Sequence, residues 1–294
     1  MELGGYVCLR HHRATQEAPE VFPSVVHKFS PLLFVRPRRV RDGEEARSYA
    51  RFHSLWKMKK EQVEDHLLDY GSYGFVRLKR GVFTDIDGRA VRNEHFRRFR
   101  PSQFEGLVPA EVGLTGVPAD HTLAWTFEPE TVVYRDTGRW ARKRRTLKKH
   151  TPLVITSQAP ELVRGEAWLP IEDGWIRASE VRRWEQVGPP PGFGAQQKWI
   201  DVDLDAQILT MYEGAQPIFV TLVTTGRRGE SKTPTGTFEI VRKKAIGDLK
   251  SKDGVRRPYF VGDVPWIQFF HEGYALHSTY WHNRFGKVGS HGCV

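Results

Sequence analysis

Cysteine and long apolar runs are both scarce in this 294-residue chain. Its two cysteines, Cys8 and Cys293, are too few for the disulfide framework of a small secreted domain, and we do not expect them to pair. No run reaches the roughly 18 consecutive apolar residues of a transmembrane helix. The first residues also lack the charged and apolar regions of a secretory signal peptide. The printed sequence therefore predicts no membrane-spanning segment and contains no visible export signal.

Acidic residues are also in the minority: the chain has 35 Asp and Glu against 45 Lys and Arg, which gives a formal net charge of +10. Much of the excess lies in basic runs at 36–41, 97–100 and 142–149. Such runs attract polyanions. No helix-turn-helix, zinc-finger or RNP-type pattern accompanies them, so we expect no nucleic-acid partner. Another acidic polymer and a plainly solvated basic face remain open as interpretations.

The residue pattern changes along the chain. The apolar content of 39% is enough for two or three domains. Residues 1–120 form a region without a recognisable pattern, except that 44–70 repeats apolar residues at the helical period. Residues 122–186 are short apolar-alternating runs cut by Gly, Pro and Asp, which is typical of a small β-barrel. We therefore expect an α/β N-terminal region followed by a β module.

The β module ends in a recognisable segment, Gly-Trp-Ile-Arg at 174–177. This segment resembles the end of bacterial SH3-like domains, which implies that the module is a small SH3-like barrel. Residues 5–8 repeat the same Gly-aromatic-β-branched order. They are interpreted either as part of an earlier SH3-like repeat or as an ordinary first strand.

Prolines and glycines at 187–197 remove backbone donors and break regular structure, so this stretch is predicted to be a linker. Beyond it, residues 198–294 open with strands that alternate apolar and polar residues at period two, which predicts an antiparallel sheet. The expected fold class is mainly β, and α+β overall because of the helix near 44–70.

The last eighteen residues, 277–294, combine a thiol, three imidazoles and several glycines. A thiolate is the reactive form of cysteine, and a nearby imidazole can accept its proton, so Cys293 is a candidate nucleophile. Gly292 leaves room beside it for a substrate carbonyl. The N–H groups of Gly292 and Cys293 are suited to stabilising an oxyanion. The competing interpretation is a buried, inert cysteine.

Three motifs follow one another in order: Thr-Pro-Thr-Gly-Thr-Phe at 233–238, then His277, then Ser-His-Gly-Cys-Val at 290–294. Together they resemble the signature of the L,D-transpeptidase (YkuD) catalytic domain, over about residues 198–294. The resemblance implies a YkuD-like β-sandwich. It also implies acyl transfer on peptidoglycan stem peptides by cysteine chemistry, without a metal or cofactor, and acylation of the cysteine by carbapenems. The product would be a 3–3 cross-link, or an attached or exchanged acceptor.

Roles follow from the resemblance for five residues. Cys293 becomes the nucleophile and His277 the general base, while Ser290, His291 and Gly292 shape the site. The implied substrate places the chain in the cell envelope, in the periplasm or cell wall, and makes an anionic wall polymer a second partner for the basic runs.

Further side chains near the motif are candidates for other roles. Tyr280, Trp281 and His282 are candidate substrate-binding residues, although aromatic packing explains them equally well. Five side chains in this region are capable zinc ligands, but their spacing fits no compact ligand set, so we expect no metal. They are His271, His277, His282, His291 and Cys293.

A non-enzymatic alternative remains open. A complete domain of the family continues past Ser-His-Gly-Cys-Val, so the printed sequence is interpreted either as a fragment or as an inactive truncation. In the second case the chain is a wall-binding protein with a degenerate or truncated transpeptidase domain. Serine chemistry is disfavoured, because no Gly-x-Ser-x-Gly elbow is present and Ser231-Lys232-Thr233 does not match the Ser-x-x-Lys pattern of serine transpeptidases.

Overall fold

In the computed structural model, the described residues are 102–111, 120–250 and 260–294, together with seven strand segments between 5 and 98. Within them the chain is built of strands and contains no α-helix, only two 3₁₀ turns. The mainly β prediction is confirmed. The helix predicted near 44–70 lies outside the described residues, except that Ser48–Tyr49 form a short strand. No described helix has the length and apolarity needed to cross a membrane.

The N-terminal region contributes one sheet of six short strands, in the order β3-β6-β5-β4-β2-β7, with antiparallel pairing throughout. A seventh strand, β1, belongs to a different sheet. The seven strands are β1 Gly5–Cys8, β2 Leu32–Pro37, β3 Ser48–Tyr49, β4 Gly74–Lys79, β5 Val82–Thr84, β6 Ala90–Val91 and β7 Phe96–Arg98.

The segment 122–186, here called the β module, folds into a single antiparallel sheet of eight strands. Strand β9 buries every second residue, whereas β8 is buried along its whole length. Val133, Leu169 and Ile176 belong to the apolar cluster at the centre of the module. Its likeness to SH3 domains stays a prediction. The strands are β8 Thr122–Thr126, β9 Glu130–Tyr134, β10 Lys143–Lys148, β11 Pro152–Ile155, β12 Glu161–Val163, β13 Glu166–Ile171, β14 Gly174–Arg177 and β15 Val181–Arg183.

Residues from 198 onward form two sheets that share a core. One is five-stranded, in the order β18-β17-β16-β1-β19, and the other is β20-β21-β22. Ile200 and Val202 of the first sheet pack in one cluster with Phe270 and Leu276 of the second. The strands are β16 Lys198–Asp203, β17 Ile208–Glu213, β18 Gln216–Leu222, β19 Thr237–Glu239, β20 Arg242–Lys250, β21 Phe260–His271 and β22 Tyr274–Leu276.

Strand β1 lies inside the five-stranded sheet, where it pairs antiparallel with β16 and parallel with β19. The backbone of residues 5–8 therefore closes the gap between two strands that follow it much later in the chain. This pairing supports the interpretation of residues 5–8 as an ordinary strand and not as part of an SH3-like repeat.

The predicted linker 187–197 contains no strand, but it lies against the sheet that follows it. The Val187 N–H donates to the Tyr212 hydroxyl at 3.1 Å. The Phe193 ring meets the Trp199 ring edge-on, with centroids 6.2 Å apart. The connection is thus packed onto β16 and β17.

The β module packs directly on the C-terminal sheets. Trp125 and Trp184 share a buried cluster with Ile208, Val220 and Leu222 of β17 and β18. The Trp184 indole N–H also donates to the buried Thr210 hydroxyl at 3.0 Å. Both an apolar core and a buried hydrogen bond therefore join the two parts.

Candidate active site

A cavity of about 580 Å³ opens where the two C-terminal sheets meet the segment after β22. Six of the eight residues singled out from the sequence line it: His277, Trp281, His282, Ser290, His291 and Cys293. The other two, Tyr280 and Gly292, are buried beside it. The Tyr280 hydroxyl donates to the Gly262 carbonyl at 2.6 Å, so its polar group is directed into the core.

Ser290 holds the turn that presents the thiol. Its hydroxyl oxygen accepts the Gly292 N–H at 3.0 Å and donates to the Cys293 carbonyl at 2.5 Å. The backbone of Gly292 has φ of +114°, and the Tyr274 ring occupies the place that a Cβ would need. Only glycine fits at this position without strain or collision. The turn is therefore fixed by local hydrogen bonds, and its close packing requires the glycine at position 292.

The two N–H groups expected to serve an oxyanion differ in availability. The Gly292 N–H is taken by the Ser290 hydroxyl. The Cys293 N–H donates no hydrogen bond to any described residue. Of the two, the Cys293 N–H is the donor that remains for a ligand.

Thr233, to which the sequence motif gave no role, stabilises the same turn through hydrogen bonds. It is 4% exposed, accepts the Gly226 N–H at 2.8 Å and donates to the Gly292 carbonyl at 2.9 Å. The Ser290 N–H donates to the Thr225 carbonyl at 3.0 Å, which adds a second connection between the loop before β19 and the turn. The only sequence signal for this contact is the position of Thr233 at the start of the Thr-Pro-Thr-Gly motif.

His277 follows β22 and is fixed in one tautomer. Its Nδ1 lies 2.8 Å from the Ser278 carbonyl oxygen, and a carbonyl can only accept, so Nδ1 carries the proton and Nε2 keeps its lone pair. Burial lowers the pKa of His277 below its ordinary value of 6.5, and the Ser278 hydrogen bond opposes this. The Trp281 ring stacks on the imidazole, with centroids 5.6 Å apart. The imidazole is thus neutral and basic at Nε2 near pH 7.

Cys293 is brought beside β22 by its neighbour, because the Val294 N–H donates to the Ala275 carbonyl and the Val294 carbonyl accepts the His277 N–H. Burial raises the pKa of the Cys293 thiol above its ordinary value of 9.0, while the Ala275 backbone acts in the opposite direction. Thiol and imidazole both rest in their neutral forms. Such a pair supplies a nucleophile only when the imidazole takes the thiol proton during attack.

The charged side chains that line the cavity, among the described residues, are basic. Arg227 and Arg284 line it, and no Asp or Glu of the described residues does. Burial, followed by the charge of Arg284, lowers the pKa of His282 to about 4. Burial, followed by the charge of Arg227, lowers the pKa of His291. With neutral histidines and two guanidinium groups, the cavity favours a ligand that carries a carboxylate.

Residues 282–287, here called the connecting loop, join the candidate base to the turn and are held by the β module. Arg182 Nε donates to the Gly286 carbonyl at 2.7 Å, and its guanidinium lies 4.1 Å from the Phe127 ring centroid. Lys287 pairs with Glu128 at 2.7 Å. Gly286 has φ of +84° and packs against Phe127, so a side chain there would be strained and crowded.

The same loop is also packed against His150. The His150 ring packs against the Phe104 and Phe285 rings, with centroids 4.6 Å and 5.7 Å away, and those two rings contact each other at 5.3 Å. Burial, followed by the charge of Lys149, lowers the pKa of His150 to about 4, so the ring is neutral. Lys149 donates to the Asn283 carbonyl. Sequence reasoning missed this arrangement, because nothing in the local pattern connects residues so far apart in the chain.

The alternative of a zinc site gains no geometric support. Among the described residues, no three His, Cys, Asp or Glu side chains converge as a ligand set. His271 stacks on Tyr274, with centroids 6.1 Å apart.

Comparison with protein families identifies one family over the last part of the chain. Residues 197–294 match the YkuD family model, the L,D-transpeptidase catalytic domain. The resemblance predicted from the motifs is confirmed over this part, about a third of the chain. The matched transpeptidase domain contains every strand of the two C-terminal sheets except β1, together with the connecting loop and Cys293, whereas the β module lies outside the match. Neither curated proteins nor solved structures give a match.

Proposed function

We propose that this chain is an acyltransferase that moves peptidoglycan stem peptides through a thioester on Cys293. The observation that carries the proposal is the cavity of the matched domain, which Cys293 and a His277 of fixed tautomer line together. The one-sided positive charge supports a donor that ends in a carboxylate, as a D-alanine-terminated stem peptide does.

The steps follow from the chemistry of these groups. As Cys293 Sγ attacks the carbonyl carbon of the third stem residue, His277 Nε2 takes the thiol proton and the carbonyl electron pair moves onto oxygen. The Cys293 N–H stabilises that oxyanion. The tetrahedral adduct collapses as its C–N bond breaks, and the leaving D-alanine amine takes the proton from the imidazolium. A thioester remains on the enzyme.

The acyl group is released by a second nucleophilic attack of the same kind. The amine of a second stem peptide attacks the thioester carbon, His277 takes an amine proton, and the C–S bond breaks to return the thiol. The product is a 3–3 cross-link. A protein amine, a free D-amino acid or water in the acceptor position gives attachment, exchange or hydrolysis. The substrate places the chain in the cell envelope.

The test is intact-protein mass spectrometry after incubation with a carbapenem, an activated acyl donor. We expect one adduct on the wild-type chain and none on Cys293→Ala. Incubation with a disaccharide-tetrapeptide should then yield a cross-linked dimer together with free D-alanine. A folded wild-type chain that forms no adduct would refute the proposal.

A second function, wall binding without catalysis, is favoured by one surface of the β module. Trp140 is 83% exposed, the Arg139 guanidinium lies 5.1 Å from its ring centroid, and all four basic residues of β10 are exposed. An aromatic platform with cations suits an anionic wall polymer. Co-sedimentation of Cys293→Ala with purified cell walls tests it, and a Trp140→Ala variant that sediments equally well would contradict it.

A further inference from the structure

We propose that Thr233 is a positioning residue that aims the Cys293 N–H at the oxyanion of the reaction, and this inference rests on the proposed function. Thr233 touches neither the thiol nor the imidazole in any described contact. Its effect passes through the peptide group between Gly292 and Cys293.

The peptide geometry supplies the link. In a trans peptide the C=O and the following N–H lie in one plane and point in opposite directions. The Thr233 hydroxyl donates to the Gly292 carbonyl at 2.9 Å, which fixes the orientation of that plane. The N–H of the same peptide group belongs to Cys293 and must point away from Thr233. This N–H has no partner among the described residues, which is unusual for a backbone donor in a packed turn.

The direction of the Thr233 hydrogen bond is also determined. A hydroxyl has one proton to donate, and its oxygen already accepts the Gly226 N–H at 2.8 Å. The proton therefore goes to the Gly292 carbonyl. Gly226 approaches Gly292 closely, since a Cβ on Gly226 would stand 2.9 Å from the Gly292 Cα. The loop before β19 and the turn are thus held together on both sides of the Thr233 side chain.

Ser290 engages the remaining neighbouring groups of the turn. Its hydroxyl occupies the Gly292 N–H and the Cys293 carbonyl. Between them, the Thr233 and Ser290 hydroxyls engage every backbone polar group of Gly292 and Cys293 except the Cys293 N–H. Two side chains leave one donor free beside the nucleophile.

The experiment compares two reactions of the same thiol in wild type, Thr233→Val and Thr233→Ser. Acylation by a carbapenem passes through a tetrahedral oxyanion, whereas alkylation by iodoacetamide is a displacement at a saturated carbon and forms none. We expect Thr233→Val to acylate at least about tenfold more slowly, a smaller loss than for complete removal of an oxyanion donor. Alkylation should keep the wild-type rate. Thr233→Ser keeps the hydroxyl and should restore acylation.

Three other outcomes overturn the inference. Acylation of Thr233→Val at the wild-type rate would show that the hydroxyl does not position the donor. Equal losses in both reactions would show a merely structural role. Failure of Thr233→Ser to recover would show that the methyl group is what matters. Thr233→Ala gives the same comparison if the valine variant does not fold, and a wild type that is alkylated but never acylated refutes the proposed function first.

Discussion

Arg182 connects the β module to the connecting loop, and its removal is the sharpest test of that connection. Arg182→Ala deletes the hydrogen bond to the Gly286 carbonyl and the contact with the Phe127 ring. Gly286 is buried, so its carbonyl loses a charged donor and gains little water in return. Both losses fall on the loop that joins His277 to Cys293.

The magnitude can be worked out from these two contacts. A hydrogen bond from a charged group contributes about 1.5–3 kcal/mol. A cation over an aromatic ring at a partly exposed site adds about 0.5–1 kcal/mol. We therefore expect Arg182→Ala to lower the free energy of unfolding by about 2–4 kcal/mol. Because the loop borders the cavity, carbapenem acylation should also slow.

Urea unfolding and the acylation rate measure the two effects. The matched control is Arg183→Ala, since Arg183 is exposed and, within the part of the chain that the structure describes, its side chain donates only to the Gln158 carbonyl, at 3.1 Å. That variant should stay within about 0.5 kcal/mol of wild type. If Arg182→Ala proved as stable and as reactive as Arg183→Ala, the β module would not hold the loop.

Three further predictions concern charge. Burial raises the pKa of Asp201 to about 7, so the folded chain binds more protons than the unfolded one between about pH 4 and 7. Its stability should fall across this window by up to roughly 4 kcal/mol, and urea unfolding of Asp201→Asn should lack this fall. Because the pKa of the Cys293 thiol is raised and that of His277 is lowered, iodoacetamide alkylation should still be rising at pH 9.0, and a plateau near neutral pH would contradict the neutral pair. Arg227→Gln and Arg284→Gln should raise KM for a donor peptide that ends in a carboxylate and leave KM unchanged for its amide, which steady-state kinetics can check.

The sequence carried most of the information about the turn that bears Cys293, because the residues of its Ser-His-Gly-Cys-Val motif are adjacent in the chain. Cys293, Ser290 and Gly292 sit within one turn, and the order of the motifs predicted the family. Period-two alternation likewise predicted the strands of the β module and of the C-terminal sheets. Local chemistry and local periodicity are both visible in a single chain.

Long-range contacts explain what the sequence did not reveal. The hydrogen bond from Thr233 to Gly292 and the contact between Arg182 and Gly286 join residues far apart in the chain. A threonine in a turn and an arginine in a strand give no sign of their partners, since their local patterns are ordinary. The roles of both depend on how the β module and the loop before β19 pack against the cavity.

The position of β1 affects how the chain folds during its synthesis. Its backbone pairs with β16 on one side and β19 on the other, yet it is synthesised before either. A strand whose partners come so late must remain unpaired while the sheet of the N-terminal region and the β module form, and distant pairings of this kind slow folding. Any tag fused to the first residues would also adjoin an interior strand of the five-stranded sheet and not a free edge. Affinity handles are therefore best placed elsewhere.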